Sequence, residues 1–369
     1  MAAGRRHQLV GARGAHRSKA HAGRRLLVRV EHEILTLHTR DPFVIARGAY
    51  AEHVNVLVRL TGDDGEFGLG EAAPNAYYGE SPESAVEALE RAVPLLAGND
   101  GVDVEAVEDE LRATLPGARS VTAALSVAIH DLVAKRLSMS VHTLWGLETG
   151  GSPLSSFTIP IGDQSVLAER VARAAEYPIL KIKLGTGDER RILEIVRSAA
   201  PDKTLRVDAN AAWSRGHAAE MLEELARHDV ELLEQPLPAD DIEGLRDLQA
   251  RTSIPIIADE SCRVAADVPR LAGAVRGINI KLAKCGGLVE ARRMIGAART
   301  CGMSVMAGCM IESSVGISGI AQLAPMLDYA DLDGAALLAD DPFTGVSIPG
   351  GRIVFPEGPG IGARRRDAA

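Results

Sequence analysis

The middle of this chain decides its fold, because short apolar runs recur there and each ends beside charged residues. The runs read ILKIKL (179–184), TLRVD (204–208), VELLE (230–234), PIIAD (255–259) and GINIKL (277–282). They have the length and the Ile, Leu and Val content of buried strands, and amphipathic helical stretches separate them. Their starts are 22 to 26 residues apart, which is the length of a strand, a loop and a helix. The repeat predicts a parallel β/α architecture.

The same pattern continues on both sides of this region. Further strands are predicted at 157–161, 303–308 and 329–333, which brings the number to eight. Eight strands that alternate with helices favour a parallel barrel. An open doubly wound sheet is the alternative, but it would require a glycine-rich phosphate turn after its first strand, and the sequence has none there.

The N-terminal third has a different pattern, with strands first and helices after them. Strands are predicted at 26–37, 53–61 and 66–71, and helices at about 82–96, 102–114 and 120–137. This order is typical of a small α+β unit. We therefore divide the chain into a basic leader (1–25) without defined structure, an α+β domain (26–140), a barrel (141–340) and a C-terminal segment (341–369). The last of these contains a possible strand at 352–355 and is expected to pack back on the N-terminal unit.

Composition excludes several classes of protein. Hydrophobic residues make up 46% of the chain, which is enough for a core, and no apolar run is long enough to span a membrane. The net charge of −9 and the aromatic content of 3% argue against nucleic-acid binding. Residues 1–25 hold seven basic and no acidic side chains, so a basic arm for nucleic acid is an alternative to a featureless leader. The four cysteines form no CxxC pair, so we expect them to be reduced thiols in a cytoplasmic protein. We also expect the protein to form a homo-oligomer.

Five consecutive predicted strands end in charged residues: Lys183, Asp208, Glu234, Asp259 and Lys281. In a parallel barrel these ends meet at one mouth, where catalytic groups are found. Charges are costly to bury there unless they pair or bind a metal ion. The pattern therefore favours a functional site over a coincidental solvated rim.

The three carboxylates come from neighbouring strands, so they can converge. Three carboxylates repel one another unless a cation joins them, and oxygen ligands alone select a hard ion, Mg²⁺ before Mn²⁺. No histidine-rich cluster competes for zinc. An ion-pair network with Lys183 and Lys281 would satisfy the same charges and stays open as an alternative.

The two lysines belong to the second and sixth predicted strands, so we expect them to face each other across the mouth. Lys181 is two residues before Lys183 and points to the same side of its strand. Its charge and a nearby divalent cation would both lower the pKa of Lys183 towards that of a useful base. One metal between two bases suits removal of a proton α to a carboxylate, with the metal stabilising the enediolate and the opposite lysine returning a proton.

The motifs KIK, VDAN, EQP, ADES, NIK and GG, in this order, resemble those of the enolase superfamily, in its muconate-lactonizing-enzyme subgroup. The resemblance runs from about residue 28 to the C-terminus. It implies a modified TIM barrel, (β/α)₇β, with an N-terminal α+β capping domain. It also implies Mg²⁺ on the three carboxylates, Lys183 and Lys281 as the acid/base pair with Lys181 assisting, and Asn210 and Glu260 as groups that orient the metal ligands.

The subgroup includes muconate cycloisomerases, N-acylamino acid racemases and dipeptide epimerases, and the last predicted strand distinguishes them. Asp331-Leu332-Asp333 resembles the Asp-x-Asp of dipeptide epimerases, which binds the ammonium group of the substrate. Two carboxylates there can accept several bonds from one ammonium. Two aspartates after a strand are also common as turn caps, so that interpretation stays open. A non-catalytic ligand-binding barrel is an alternative from a different class of protein. The lysine pair and the acid triad argue against it, because ligand binding alone does not need them.

Three further stretches resemble parts of the substrate pocket. Residues 42–48 and 77–81 resemble the loops that close over the barrel in L-Ala-D/L-Glu epimerases. Arg47 in the first of them is a candidate partner for a carboxylate on the second residue of the substrate, with a purely structural arginine as the alternative. Cys309, Met310 and Ile311 match a stretch that lines the pocket, and we expect the Cys309 thiol to be part of the wall without a nucleophilic role.

Overall fold

The computed structural model describes residues 29–45, 48–96 and 103–366. It begins with an antiparallel sheet of three strands, β1 (Arg29–Ile45), β2 (Gly48–Thr61) and β3 (Phe67–Ala72), in that order. The alternation of apolar and polar residues puts one face of this sheet against helices. The predicted leader (1–25) lies outside the described residues.

Helices α1 (Pro82–Leu96), α2 (Val104–Thr114) and α3 (Arg119–Arg136) cover the sheet. The start of α2 is fixed by Asp103, whose side chain accepts a hydrogen bond from the Ala106 N–H. Helix α3 lies directly on β3, because Gly70 has no side chain and its Cα approaches the Ala124 carbonyl. Leucine, valine and alanine side chains fill the space between sheet and helices as a core of their own.

A short helix, α4 (Val141–Leu144), leads into the second unit. In chain order this unit consists of β4 (Phe157–Ile159), α5 (Gln164–Arg173), β5 (Ile179–Lys183), α6 (Glu189–Ala199), β6 (Thr204–Asp208), α7 (Arg215–Arg227), β7 (Val230–Glu234), α8 (Ile242–Gln249), β8 (Ile256–Ala258), α9 (Val268–Leu271), β9 (Gly277–Ile280), α10 (Leu282–Cys285), α11 (Leu288–Thr300), β10 (Ser304–Gly308), α12 (Ser314–Ala321) and β11 (Tyr329–Asp331). Short 3₁₀ turns lie at Ala76–Tyr78, Thr149–Gly151, Ala265–Asp267, Ala324–Met326 and Pro349–Gly351.

The strands β4 to β11 form one parallel sheet of eight strands in sequential order. A parallel bridge between Ser155 and Ala330 joins its two edges and nearly closes the barrel. In the described part of the chain no α-helix follows β11, so the architecture is (β/α)₇β with a capping α+β unit. The predicted fold class is confirmed, and each of the eight predicted barrel strands is found within three residues of its expected bounds.

Two details of the predicted secondary structure are wrong. The first strand continues past residue 37 to Ile45, and a register shift between His38 and Phe43 hides this continuation, because it breaks the alternation of side chains. The strand predicted at 352–355 is only a single bridge between Ser347 and Val354. The C-terminal segment instead forms a two-residue pair, β12 (Phe343–Thr344) with β13 (Arg364–Arg365).

The end of the chain contacts the capping unit at several points. The Ile361 N–H donates to Asp131 on α3 at 2.8 Å, and Arg365 pairs with Glu33 on β1. The division into four segments at residues 25, 140 and 340 stays a prediction. Among the described residues no helix is long and apolar enough to cross a membrane.

Candidate active site

Three carboxylates lie at the carboxyl ends of three neighbouring barrel strands. Asp208 and Glu234 are the last residues of β6 and β7 and are register partners, while Asp259 directly follows β8. Their relative exposures are 0%, 0% and 1%. Buried carboxylates require cations or hydrogen-bond donors around them, so these three, which we call the acid triad, form an anionic centre at the barrel mouth.

Two lysines flank the acid triad. Lys183 Nζ, at the end of β5, lies 2.6 Å from Asp208 Oδ2, and Lys281 Nζ, directly after β9, lies 2.8 Å from Asp259 Oδ2. Burial alone would lower the pKa of Lys281, but Asp259 raises it above its usual range. The ion pairs that the sequence left open beside metal binding are therefore present in the structure. The two lysines contact opposite ends of the triad and line one cavity.

Lys181 was expected to assist Lys183 by lowering its pKa, but in the structure its ammonium group contacts three carboxylates. Its Nζ lies 2.6 Å from Asp331 Oδ2, 2.7 Å from Glu234 Oε2 and 3.2 Å from Asp208 Oδ2, and the side chain is 1% exposed. Burial opposes its charge, but these three carboxylates raise the pKa of Lys181 well above its usual range. Lys181 is thus a fixed cation that joins the acid triad to the last barrel strand.

The members of the triad differ in their electrostatic environment. Burial and the neighbouring charge of Asp208 raise the pKa of Glu234 to about 7. Burial acts on Asp259 in the same direction, but Lys281 and Lys284 overcome it and hold the pKa of that carboxyl well below its usual range. Glu234 is therefore the carboxylate that would benefit most from an added cation.

Asp331 and Asp333 are brought to the same mouth. Asp331 accepts a hydrogen bond of 2.6 Å from Ser156 Oγ in addition to its pair with Lys181, and Asp333 accepts one from the Thr158 N–H. Burial and the charge of Asp331 raise the pKa of Asp333 to about 7. The backbone carbonyl of Asp333 accepts from the Leu337 N–H, but the hydrogen bonds of the two carboxylates described above go to other segments. Both aspartates face the cavity that contains the lysines.

The two residues predicted to orient the metal ligands are also at the mouth. The Asn210 N–H donates to Asp208 Oδ1 at 2.8 Å, and its side-chain amide lies 3.3 Å from the other oxygen of that carboxylate. Asn210 has a left-handed backbone with φ of 46°, and so does Ala211 with φ of 62°. Glu260 is buried directly beside Asp259. Left-handed non-glycine residues are uncommon, and they cluster at functional sites.

Three buried polar groups around the triad were missed by the sequence analysis. Lys284 Nζ donates to Asp259 and to three backbone carbonyls, Asn279 Nδ2 donates to Glu234 Oε1 at 2.7 Å, and Gln235 Oε1 accepts from the Asp259 N–H at 2.9 Å. A signal was available for Asn279, since it precedes Lys281 by two residues and so shares its side of the strand. Lys284 lies on α10, in a helical turn that strand patterns do not reveal.

The sequence analysis also missed a buried polar network that joins the cap to the barrel. Asn55 Nδ2, on β2, donates to Glu71 Oε1 at 2.7 Å and to the Ile311 carbonyl at 2.9 Å. Glu71 in turn accepts from the backbone and side chain of Ser313, the N-cap of α12. This buried network fixes the capping sheet against the loop after β10. The available signal was an asparagine inside an apolar strand.

The cavity at the mouth has a volume of about 470 Å³. Cys309, Met310 and Ile311 form part of its barrel-side wall. Burial, followed by the charges of Asp333 and Asp331, raises the pKa of the Cys309 thiol well above its usual range, so this thiol is a poor nucleophile. The cap side of the wall includes the residues Phe43, Tyr50, His53, Asn75 and Tyr77. Arg47 lies outside the described residues.

The donor set at the mouth fits a hard divalent cation. All three triad side chains offer oxygen only, and the buried Glu234 Oε2 contacts the Lys181 ammonium at 2.7 Å. No three His, Cys, Asp or Glu side chains of the described residues form a ready-made metal cage, and the triad contacts lysine ammonium groups. These ammonium groups offset only part of the negative charge, since the pKa of Glu234 stays raised beside them.

Comparisons with known proteins assign this site to a family. Residues 28–146 match the family described as "Mandelate racemase / muconate lactonizing enzyme, N-terminal domain", and residues 165–369 match "Enolase C-terminal domain-like". The chain belongs to the mandelate racemase/muconate lactonizing enzyme family. The predicted resemblance is confirmed, and the two matches together include the cap, the acid triad and all the lysines described above.

Relatives with stated activities are similar over most of their length. An L-Ala-D/L-amino acid epimerase of Maribacter sp. is 39% identical over 87% of this chain and 94% of its own. The L-Ala-D/L-Glu epimerase of Escherichia coli is 38% identical over 85% of this chain and 95% of its own. A dipeptide epimerase from Cytophaga hutchinsonii, crystallised with Mg and the dipeptide D-Ala-L-Val, superimposes with a TM-score of 0.89 at 27% identity, over 93% of this chain and 97% of its own.

Proposed function

We propose that the protein is an isomerase, a Mg²⁺-dependent epimerase that acts by 1,1-proton transfer at the α-carbon of the second residue of a dipeptide. The observation that carries this proposal is the pair Lys183 and Lys281, which contact opposite ends of one acid triad and line one cavity. Such a pair provides a base for each face of a planar intermediate. The epimerase activities of the relatives support the same conclusion.

The residues that would hold Mg²⁺ are the acid triad, with Asn210 and Glu260 orienting the ligands. When bound, the ion supplies positive charge that stabilises the enediolate formed by proton removal. The Cytophaga relative was crystallised with Mg, and the oxygen-only triad suits that ion. Mn²⁺ has similar preferences and is expected to substitute for it.

The chemistry on the protein side is a proton relay between two amines. One lysine, as the neutral amine, accepts the α-proton, and the other, as the ammonium, donates a proton to the opposite face of the same carbon. The net change is inversion of configuration without oxidation or bond transfer. Lys181, paired with Asp331 and Glu234, assists by holding a fixed positive charge between the triad and the last strand.

Asp331 and Asp333 would select a dipeptide by binding its N-terminal ammonium. Both are buried at the mouth and accept hydrogen bonds from neighbouring groups that fix their direction. Cys309, Met310 and Ile311 would line the substrate, and Arg47 would pair with a carboxylate on the second residue. Loss of a preference for L-Ala-L-Glu over L-Ala-L-Gln in Arg47→Gln would support this last role, and an unchanged ratio would contradict it.

The proposal is tested by α-proton exchange. Dipeptides are incubated with the protein in D₂O, with Mg²⁺ or with EDTA, and deuterium at each α-carbon is followed by NMR. We expect Mg²⁺-dependent exchange at the second residue together with formation of the other stereoisomer. Exchange of N-acylamino acids alone would favour an N-acylamino acid racemase. Formation of a lactone would favour a muconate-type cycloisomerase, and the absence of any exchange would favour a non-catalytic ligand-binding barrel.

A cytoplasmic location and a homo-oligomeric state stay predictions. The four cysteines are all free in the structure, as expected for a reducing compartment. Sedimentation of the purified protein would determine the oligomeric state, and a monomer would contradict the second of these predictions.

A further inference from the structure

His53 is a polar residue of the cavity wall with no function in the scheme above. It lies on β2, and its ring faces the same cavity as Lys183 and Lys281. Its Nε2 is buried and has no hydrogen-bond partner among the residues that the structure describes. A buried ring nitrogen without a partner is unfavourable, and such groups in native proteins usually acquire one from water or a ligand.

The surroundings of His53 are aromatic. The ring centroid of Phe43 lies 6.4 Å from that of His53, and the centroid of Tyr50 lies 6.2 Å from it. Lys183 Nζ lies 6.0 Å from the Phe43 centroid. The three rings therefore form a wall on the cap side, above one of the two lysines that would act on the α-carbon.

This wall combines apolar area with the buried His53 Nε2, for which the described part of the chain offers no hydrogen-bond partner. Burial lowers the pKa of His53, so its imidazole is neutral at pH 7. A neutral imidazole offers one donor and one acceptor, and exchange of the tautomer lets either nitrogen take either role. The ring can thus bond with a carbonyl, a carboxylate or a hydroxyl group without needing a charged partner.

We propose that His53 determines specificity by hydrogen-bonding the end of the side chain on the epimerised residue. This inference rests on the proposed function, which puts the α-carbon of that residue between the lysines. The substrates it selects are dipeptides whose second side chain has an apolar stem, which packs on the rings, and a hydrogen-bonding end, as in glutamine, glutamate or tyrosine. A site built to hydrogen-bond such a group discriminates against an analogue that lacks it.

Matched pairs of dipeptides test the proposal. L-Ala-L-Gln is compared with L-Ala-L-Met, and L-Ala-L-Tyr with L-Ala-L-Phe, since each pair differs mainly in the polar end group. We expect the wild type to favour the polar member at least about fivefold in kcat/KM, and His53→Phe to bring this ratio close to 1. The same substitution on β1 of the cap, His32→Phe, is the matched control and should leave the ratio unchanged.

Two results would overturn the inference. The first is an unchanged ratio in His53→Phe, which includes an equal loss for both members of each pair and would indicate a structural role. The second is the absence of α-proton exchange in the wild type with every dipeptide, which would remove the proposed function as well.

Because phenylalanine alters the packing, His53→Gln serves as a second variant and should retain a preference for the polar member. A ratio near 1 in both variants, with unaltered circular dichroism, would also support the inference and would show that glutamine does not replace the imidazole.

Discussion

Lys181 Nζ lies 2.6 Å from Asp331 Oδ2, and this contact joins the second barrel strand to the last one. The same nitrogen lies 2.7 Å from Glu234 Oε2, so one ammonium links the proposed ammonium-binding aspartate to the proposed metal site. Like charge next to Lys183 was the expected role of Lys181. The structure shows that Lys181 also contacts three buried carboxylates and contributes positive charge to them.

Lys181→Met is expected to destabilise the fold by about 3 kcal/mol or more in the absence of metal, since removal of one partner leaves buried charges uncompensated. Mg²⁺ should restore part of this loss, because it supplies positive charge to Asp208 and Glu234. Urea unfolding with and without Mg²⁺ measures both effects. Arg191→Met, which removes an exposed pair with Glu194, is the control and should change stability little. Equal stability of Lys181→Met and wild type without metal would contradict the expectation.

The acid triad can be tested one carboxylate at a time. Asp208→Asn, Glu234→Gln and Asp259→Asn should each abolish turnover and leave the barrel folded, because stabilisation of the developing negative charge is worth several kcal/mol. Deuterium exchange and circular dichroism measure the two properties. Asp202→Asn, on an exposed loop, should remain active. Full activity of the wild type after removal of divalent cations with EDTA would refute the metal requirement.

The two lysines are expected to be separable. Lys183→Ala and Lys281→Ala should each stop epimerisation, because each lysine serves one face of the α-carbon. One variant should still exchange the α-proton of one stereoisomer with solvent, and the other variant that of the opposite stereoisomer. NMR of the L,L and L,D dipeptides in D₂O resolves these reactions. Near-normal epimerisation by both variants would exclude a two-base mechanism.

Much of the fold could be predicted because the barrel repeats one simple unit. Buried parallel strands are short apolar runs, and a charged residue at the end of such a run is conspicuous. The acid triad, the lysines and Asp331 with Asp333 were all recognisable for this reason, and the structure brings them to one mouth. The ion pairs of Lys181 were not recognisable, since they depend on the closure of the barrel, which brings β11 next to β4 and within reach of Lys181 on β5.

Other features depend on contacts between distant segments. Asn55 and Glu71 lie on the cap, and their partner Ser313 lies more than two hundred residues further along the chain. Sequence patterns report the face on which a side chain lies, but they do not report which loop it meets. Lys284 was missed for a similar reason, because its four bonds surround Asp259 from a helical turn after β9.

Glu312 gives the folded state a specific dependence on pH. Burial, followed by the charge of Glu71, raises the pKa of Glu312 to about 8, against about 4.5 in the unfolded chain. Between these values the folded state binds the additional proton, so stability falls as the pH rises, by at most about 1.4 kcal/mol per pH unit from this group. Glu312→Gln should remove this part of the slope while retaining an acceptor for the Met310 N–H.

Urea unfolding at several pH values between 5 and 8 measures that slope. The control is Glu87→Gln on the exposed face of α1, which should leave the slope as it is in the wild type. A slope in Glu312→Gln equal to that of the wild type would show that Glu312 does not carry a raised pKa.

The last prediction concerns the choice of a dipeptide. Asp331 is the last residue of β11 and Asp333 follows it by two residues, across the barrel from the acid triad. A substrate whose second α-carbon lies between the lysines would therefore extend its N-terminus towards them. Charge-assisted bonds of this kind contribute roughly 1.5–3 kcal/mol each. N-acetylation removes the ammonium and with it the cationic partner of Asp333. We therefore expect free dipeptides to exceed their N-acetylated forms at least about tenfold in kcat/KM, which corresponds to about 1.4 kcal/mol. Asp331→Asn combined with Asp333→Asn should erase most of this preference, while calorimetry should show that Mg²⁺ still binds. Equal turnover of both forms by the wild type would favour an N-acylamino acid racemase, because that activity has no free ammonium to recognise.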